Sequence, residues 1–92
     1  MGAGAIIKLV QIKPVGDASL WLTFSDGATA RWSAADYIAR DTVMTRPLAD
    51  PAFFARAFLE SGALAWPNGF EMSADALYRR LDAAGALVRE AA

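Results

Sequence analysis

The chain has 92 residues, a formal charge of −1, and neither cysteine nor histidine. Without thiols it can form no disulfide and no sulfur-ligated zinc site, and without imidazole it lacks the commonest general base and metal ligand at neutral pH. Nine basic residues against ten acidic ones supply no strong field to gather nucleic acid or an anionic membrane, and this length suits one domain with one modest core.

The run over residues 7–15 mixes Ile, Leu and Val with Lys8, Gln11 and Lys13 and stops at Pro14-Val15-Gly16-Asp17, the pattern of a strand and a turn. The next run alternates: Leu20, Leu22 and Phe24 fall on one face, Ser19, Trp21 and Thr23 on the other. After Ser25-Asp26-Gly27 a third run sets Ala28, Ala30 and Trp32 against Thr29, Arg31 and Ser33. A two-residue loop would pair Leu22 with Arg31 and put a charge on the apolar face. A three-residue loop pairs Phe24 with Ala28, Leu22 with Ala30 and Leu20 with Trp32, so it is the expected one, with Gly27 left-handed in a bulge.

Ser33 then reads as the N-cap of a short helix over residues 34–40, with a Trp32 to Tyr37 staple. Asp50 caps a second helix that begins at Pro51, runs through Phe53, Phe54, Ala57 and Phe58, and ends at Ser61-Gly62. Residues 63–66 form a fourth strand, closed by Pro67-Asn68-Gly69, and residues 70–72 lead to Ser73. Ser73 caps a final helix with Asp75 in its first turn, a Met72 to Leu77 staple, and a core stripe of Leu77, Leu81, Ala84 and Val88. Gly85 either ends this helix or weakens it.

The longest apolar run, residues 3–10, is interrupted by Gly4 and Lys8 and is far shorter than the roughly 20 residues of a spanning helix. No basic segment precedes it as in a signal peptide. The expectation is a cytoplasmic protein with no membrane association.

Three segments in order, Phe24-Ser25-Asp26-Gly27, then Pro47-Leu48 with Asp50-Pro51 and Phe54, then Trp66-Pro67-Asn68-Gly69 with an acid two positions on and Leu77-Tyr78 beyond, resemble the small bacterial family known as domain of unknown function 2442. The similarity spans about residues 9–78, and Glu71 stands where that family usually has Asp. The resemblance implies an α+β module with an antiparallel sheet and no agreed activity. In that family the gene often neighbours that of another small protein, which brings a pairing of toxin and antitoxin type into view.

Trp66, Asn68, Glu71, Asp75 and Tyr78 form the candidate interaction surface, since an indole, an amide, carboxylates and a phenol can together hold a polar peptide. The competing reading gives each a local job: packing for Trp66, turn chemistry for Asn68, the helix dipole for Asp75. Asp26, Asp36, Asp41, Glu71 and Asp75 raise a carboxylate or Mg²⁺ reading, but acids are expected at turns and helix starts in any case. Arg31, Arg79, Arg80 and Arg89 raise phosphate contacts, offset by the interleaved Asp75, Asp82 and Glu90. Trp21 and Thr23 are either covered by a helix or exposed as an interface.

These readings converge on a single α+β domain over residues 1–92: a small antiparallel sheet of about four strands packed by two or three helices in the order β-β-β-α-α-β-α, the place and direction of the fourth strand left open. No catalytic residue, metal or cofactor is expected. The expected function is a non-catalytic protein-interaction module that binds a protein partner or a second copy of itself. The alternative is a nucleic-acid-associated regulator of antitoxin type.

Overall fold

The hairpin around Ser25-Asp26-Gly27 is built as the alternation dictates. In the computed structural model, which describes residues 6–89, β1 (Leu9–Gly16), β2 (Ser19–Phe24) and β3 (Thr29–Ser33) form an antiparallel sheet in that order. Leu22 faces Ala30 and Leu20 faces Trp32, and the Phe24 N–H donates to the Ala28 carbonyl at 2.8 Å. The three-residue loop is therefore the one formed. Gly27 has φ +91°, and the Asp26 carboxylate accepts the Ala28 N–H at 2.9 Å. Leu20, Leu22, Phe24, Ala28, Ala30 and Trp32 are all buried, so this register puts the whole apolar face inward.

The turn between β1 and β2 is tighter than its residues favour. Asp17 and Ala18 both have positive φ, 48° and 54°, the conformation that a two-residue hairpin loop requires and that alanine adopts at a cost.

Helix α1 (Ala35–Arg40) starts one residue later than predicted, and Ser33 Oγ accepts the Ala35 N–H at 3.1 Å. The predicted staple is present: the Trp32 and Tyr37 rings lie 6.1 Å apart. A 3-10 turn (Arg46–Ala49) then leads to Asp50, which accepts the Ala52 N–H at 3.0 Å and caps α2 (Pro51–Phe54).

Beyond Phe54 the structure corrects the sequence reading. The second helix is a single turn, and Phe58–Glu60 is not its continuation but a strand, β4. Ser61 and Gly62, at φ 52° and 83°, are the two-residue loop of a hairpin into β5 (Ala63–Ala65), and β5 pairs antiparallel with β6 (Glu71–Met72) as well. Among the described residues there are thus six strands in two three-stranded sheets rather than about four in one. The predicted fourth strand is β5, the centre of the second sheet. The physical reason is that Ser-Gly in left-handed conformation serves equally as a helix stop or as a hairpin loop, and pairing of Leu59 with Leu64 decides for the hairpin.

Ser73 accepts the Ala76 N–H at 3.1 Å and caps α3 (Ala74–Ala83), which buries Ala74, Leu77 and Leu81. The predicted stripe stops there. Gly85 and Ala86 donate back to Asp82 and Leu81, closing the helix, and Ala84 and Val88 are exposed. Val88 instead exchanges two backbone hydrogen bonds with Thr29 at the free edge of β3.

One buried cluster draws on both sheets and α3. Its centre is Trp66, 1% exposed, with the rings of Phe54, Phe70 and Trp32 at 5.6, 5.8 and 6.2 Å. The two sheets meet where the Leu9 N–H donates to the Gly62 carbonyl at 2.9 Å. No helix among the described residues is long and apolar enough to cross a membrane.

Candidate functional site

Four of the five residues predicted to share a surface have separate partners. Trp66 is inside, and its indole N–H donates to the buried Phe54 carbonyl at 3.0 Å. Asn68 works locally: its Oδ1 accepts the Phe70 N–H and its Nδ2 donates to the Met44 carbonyl, both at 3.1 Å, which ties the loop before the 3-10 turn to the Pro67-Asn68-Gly69 corner. Glu71 projects from β6 into solvent. Asp75 pairs with Arg79 one helical turn on, at 2.8 Å.

Tyr78 reaches furthest in sequence. Its ring packs edge-on against Phe24, centroids 5.1 Å apart, and its hydroxyl donates to Asp26 while accepting from Arg89 at 3.1 Å. Arg89 also pairs with Asp82 at 3.2 Å. Burial pushes the Asp26 carboxyl up, but the Tyr78 hydroxyl, the Ala28 N–H and Arg89 outweigh it and hold that group below the usual Asp value. The same bond to Asp26 raises the Tyr78 phenol.

These contacts join the recognised segments to one another. Asp26 and Phe24 of the first meet Tyr78 of the third, and Phe54 of the second accepts from Trp66 of the third. Chemically they are joints: the Asp26 and Asp75 carboxylates and the Asn68 amide each have a donor or acceptor to hold. Among the described residues no three acids approach as metal ligands would.

The surface with unused chemistry lies elsewhere. On the outer face of the first sheet Lys13 is opposite Trp21 and Trp21 is opposite Arg31, a row of cation, indole and cation running across three strands. Beside it runs a second row, Gln11, Thr23 and Thr29. Trp21 is 39% exposed, Lys13 and Arg31 are exposed, and neither cation pairs with a carboxylate among the described residues. The three strands contain no acidic residue at all, although the chain as a whole has one more acid than base. Of the two outcomes considered for Trp21, exposure is the one found. Sequence reasoning placed Trp21 and Thr23 on this face but missed Lys13; the alternation of β1 was too irregular, and register shifts on both sides of residues 11–14 account for that.

A family model described as protein of unknown function (DUF2442) matches residues 9–83. No curated protein and no solved structure matches the chain.

Proposed function

We propose, for a chain that belongs to the DUF2442 family of uncharacterised proteins, a non-catalytic role as a module that binds a protein partner through the outer face of its first sheet. The observation that carries this reading is the half-exposed Trp21 between two exposed cations, neither of which has a carboxylate partner among the described residues. A large indole left in water loses the roughly 2 kcal/mol that burying a side chain of its size returns, and a partner recovers it. Tryptophan and arginine are also the residues that most often dominate binding energy at interfaces. Three of the five candidate acids are engaged in joints, Asp26 with Tyr78, Asp41 with Arg46 and Asp75 with Arg79, while Asp36 and Glu71 are exposed on separate elements.

The test is co-purification from the native host with wild-type and Trp21→Ser baits, followed by mass spectrometry. A stoichiometric protein retained by the first and lost by the second supports the reading. Recovery of nucleic acid in its place would favour the antitoxin-type alternative, and retention of the same protein by both baits would move the interface away from this face.

A further inference from the structure

The spacing of the outer row sets what can lie on it. Adjacent strands are about 4.8 Å apart, so Lys13 and Arg31, two strands from each other, stand roughly 10 Å apart with Trp21 midway. Two carboxylates that meet both cations without bending either long side chain aside match that distance on one side of a ligand. In a flat strand, residues three apart are separated by about 10 Å but point to opposite sides. In a polyproline-II segment, with three residues per turn and about 3.1 Å per residue, positions i and i+3 are about 9 Å apart on the same side.

A helix meets the distance at i and i+7, yet it needs an apolar stripe, and Trp21 is the single large apolar side chain in the two rows. The second row supplies what a polyproline-II chain lacks. Such a chain has no internal hydrogen bonds, and Gln11, Thr23 and Thr29 offer an amide and two hydroxyls to its free carbonyls. Proline on an indole face is itself a recurrent mode of recognition.

We infer that the Lys13, Trp21, Arg31 row is a docking site for an acidic, proline-containing segment of a partner protein, crossing the strands in polyproline-II conformation with acids three residues apart. The inference rests on the interaction reading above and names the partner chemistry of that same face. One carboxylate meets Lys13, the other meets Arg31, and a proline on the neighbouring ridge of the segment packs against the side of the Trp21 ring.

The experiment uses the full chain, ¹⁵N-labelled, titrated with a capped peptide containing Glu-Pro-Pro-Glu. The expected result is shifts confined to the Trp21 indole N–H and the amides around Lys13 and Arg31, and binding about tenfold weaker for Arg31→Glu or for a Lys-Pro-Pro-Lys peptide. A Lys13→Glu, Arg31→Glu double variant should reverse the preference and take the Lys peptide. That gain of binding, with shifts still confined to this face in a dispersed spectrum, is a readout that loss of the fold does not give. Equal binding of Glu-Pro-Glu and Glu-Pro-Pro-Glu, shifts elsewhere on the molecule, or tighter binding of an oligothymidine or an acidic helical peptide would each overturn the inference. If Trp21→Ser loses a co-purified protein while no Glu-Pro-Pro-Glu peptide binds, this inference falls and the interaction reading stands; if Trp21→Ser retains that protein, the interaction reading falls first.

Discussion

Replacing Gly62 by alanine should destabilise the protein clearly more than replacing Gly27 by alanine. The two glycines have nearly the same positive φ, +83° and +91°, so the conformational cost of adding a Cβ, roughly 1–2 kcal/mol, is common to both and cancels in the comparison. The surroundings differ. At Gly27 the new carbon meets nothing within 4 Å, whereas at Gly62 it would lie 2.8 Å from Lys8 Cβ and 2.9 Å from Lys8 Cγ. A Cβ is fixed to its backbone and cannot swing aside, so the chain at Lys8 must move and strain the bond from the Leu9 N–H to the Gly62 carbonyl. Overpacking of this kind costs about 1–3 kcal/mol. At about 4–8 °C per kcal/mol for a domain of this size, the Gly62→Ala variant should melt at least about 4 °C below Gly27→Ala. Thermal unfolding followed by circular dichroism measures the difference, and urea titrations check that the slope is unchanged. Equal melting temperatures would refute the steric argument at the junction of the sheets.

Trp66→Phe should cost about 2–4 kcal/mol, because the ring shrinks and the buried Phe54 carbonyl loses its donor; a loss below about 0.5 kcal/mol in urea unfolding would contradict that accounting. Ala18→Gly should stabilise the fold by about 0.5–1 kcal/mol by relieving the left-handed alanine in the first turn, read as a small rise in melting temperature. Tyr78→Phe should move the Asp26 carboxyl up towards its ordinary value, as read by NMR titration of that group. Its folded-state value is depressed, so the stability it contributes is full above the unfolded carboxyl range and is lost as pH falls through the folded value; the variant should show less of this acid-side loss. For Tyr78 itself the folded-state value is raised, so its contribution is full below the ordinary phenol value near ~10 and is lost as pH rises through the folded value, which ultraviolet absorbance can follow.

The first sheet was legible because two constraints agreed. Alternation chose the inward face, and only one loop length kept Arg31 off it. Helix starts at Asp50 and Ser73 were legible for a related reason, since each cap is a local hydrogen bond between neighbours in sequence. The second sheet was legible only in part: residues 63–66 read as a strand and 70–72 as extended, but β4 read as helix and the pairing of the three was not visible. Its strands are two and three residues long, too short for a period to register, and the turn at Ser61-Gly62 is ambiguous until Leu59 finds Leu64. The joints between Asp26 and Tyr78 and between Trp66 and Phe54 lie outside any sequence periodicity, because they depend on how separate elements dock. The cationic row depended on the pairing of β1, whose register shifts broke the pattern that would have revealed Lys13 beside Trp21.

The pairing of Thr29 with Val88 has a consequence for synthesis. During translation the backbone groups of Thr29 emerge well before Val88, so a growing chain leaves them unpaired until Val88 follows. A nascent chain stalled at Gly85 would lack those two hydrogen bonds and would keep that end of β3 open to neighbouring chains.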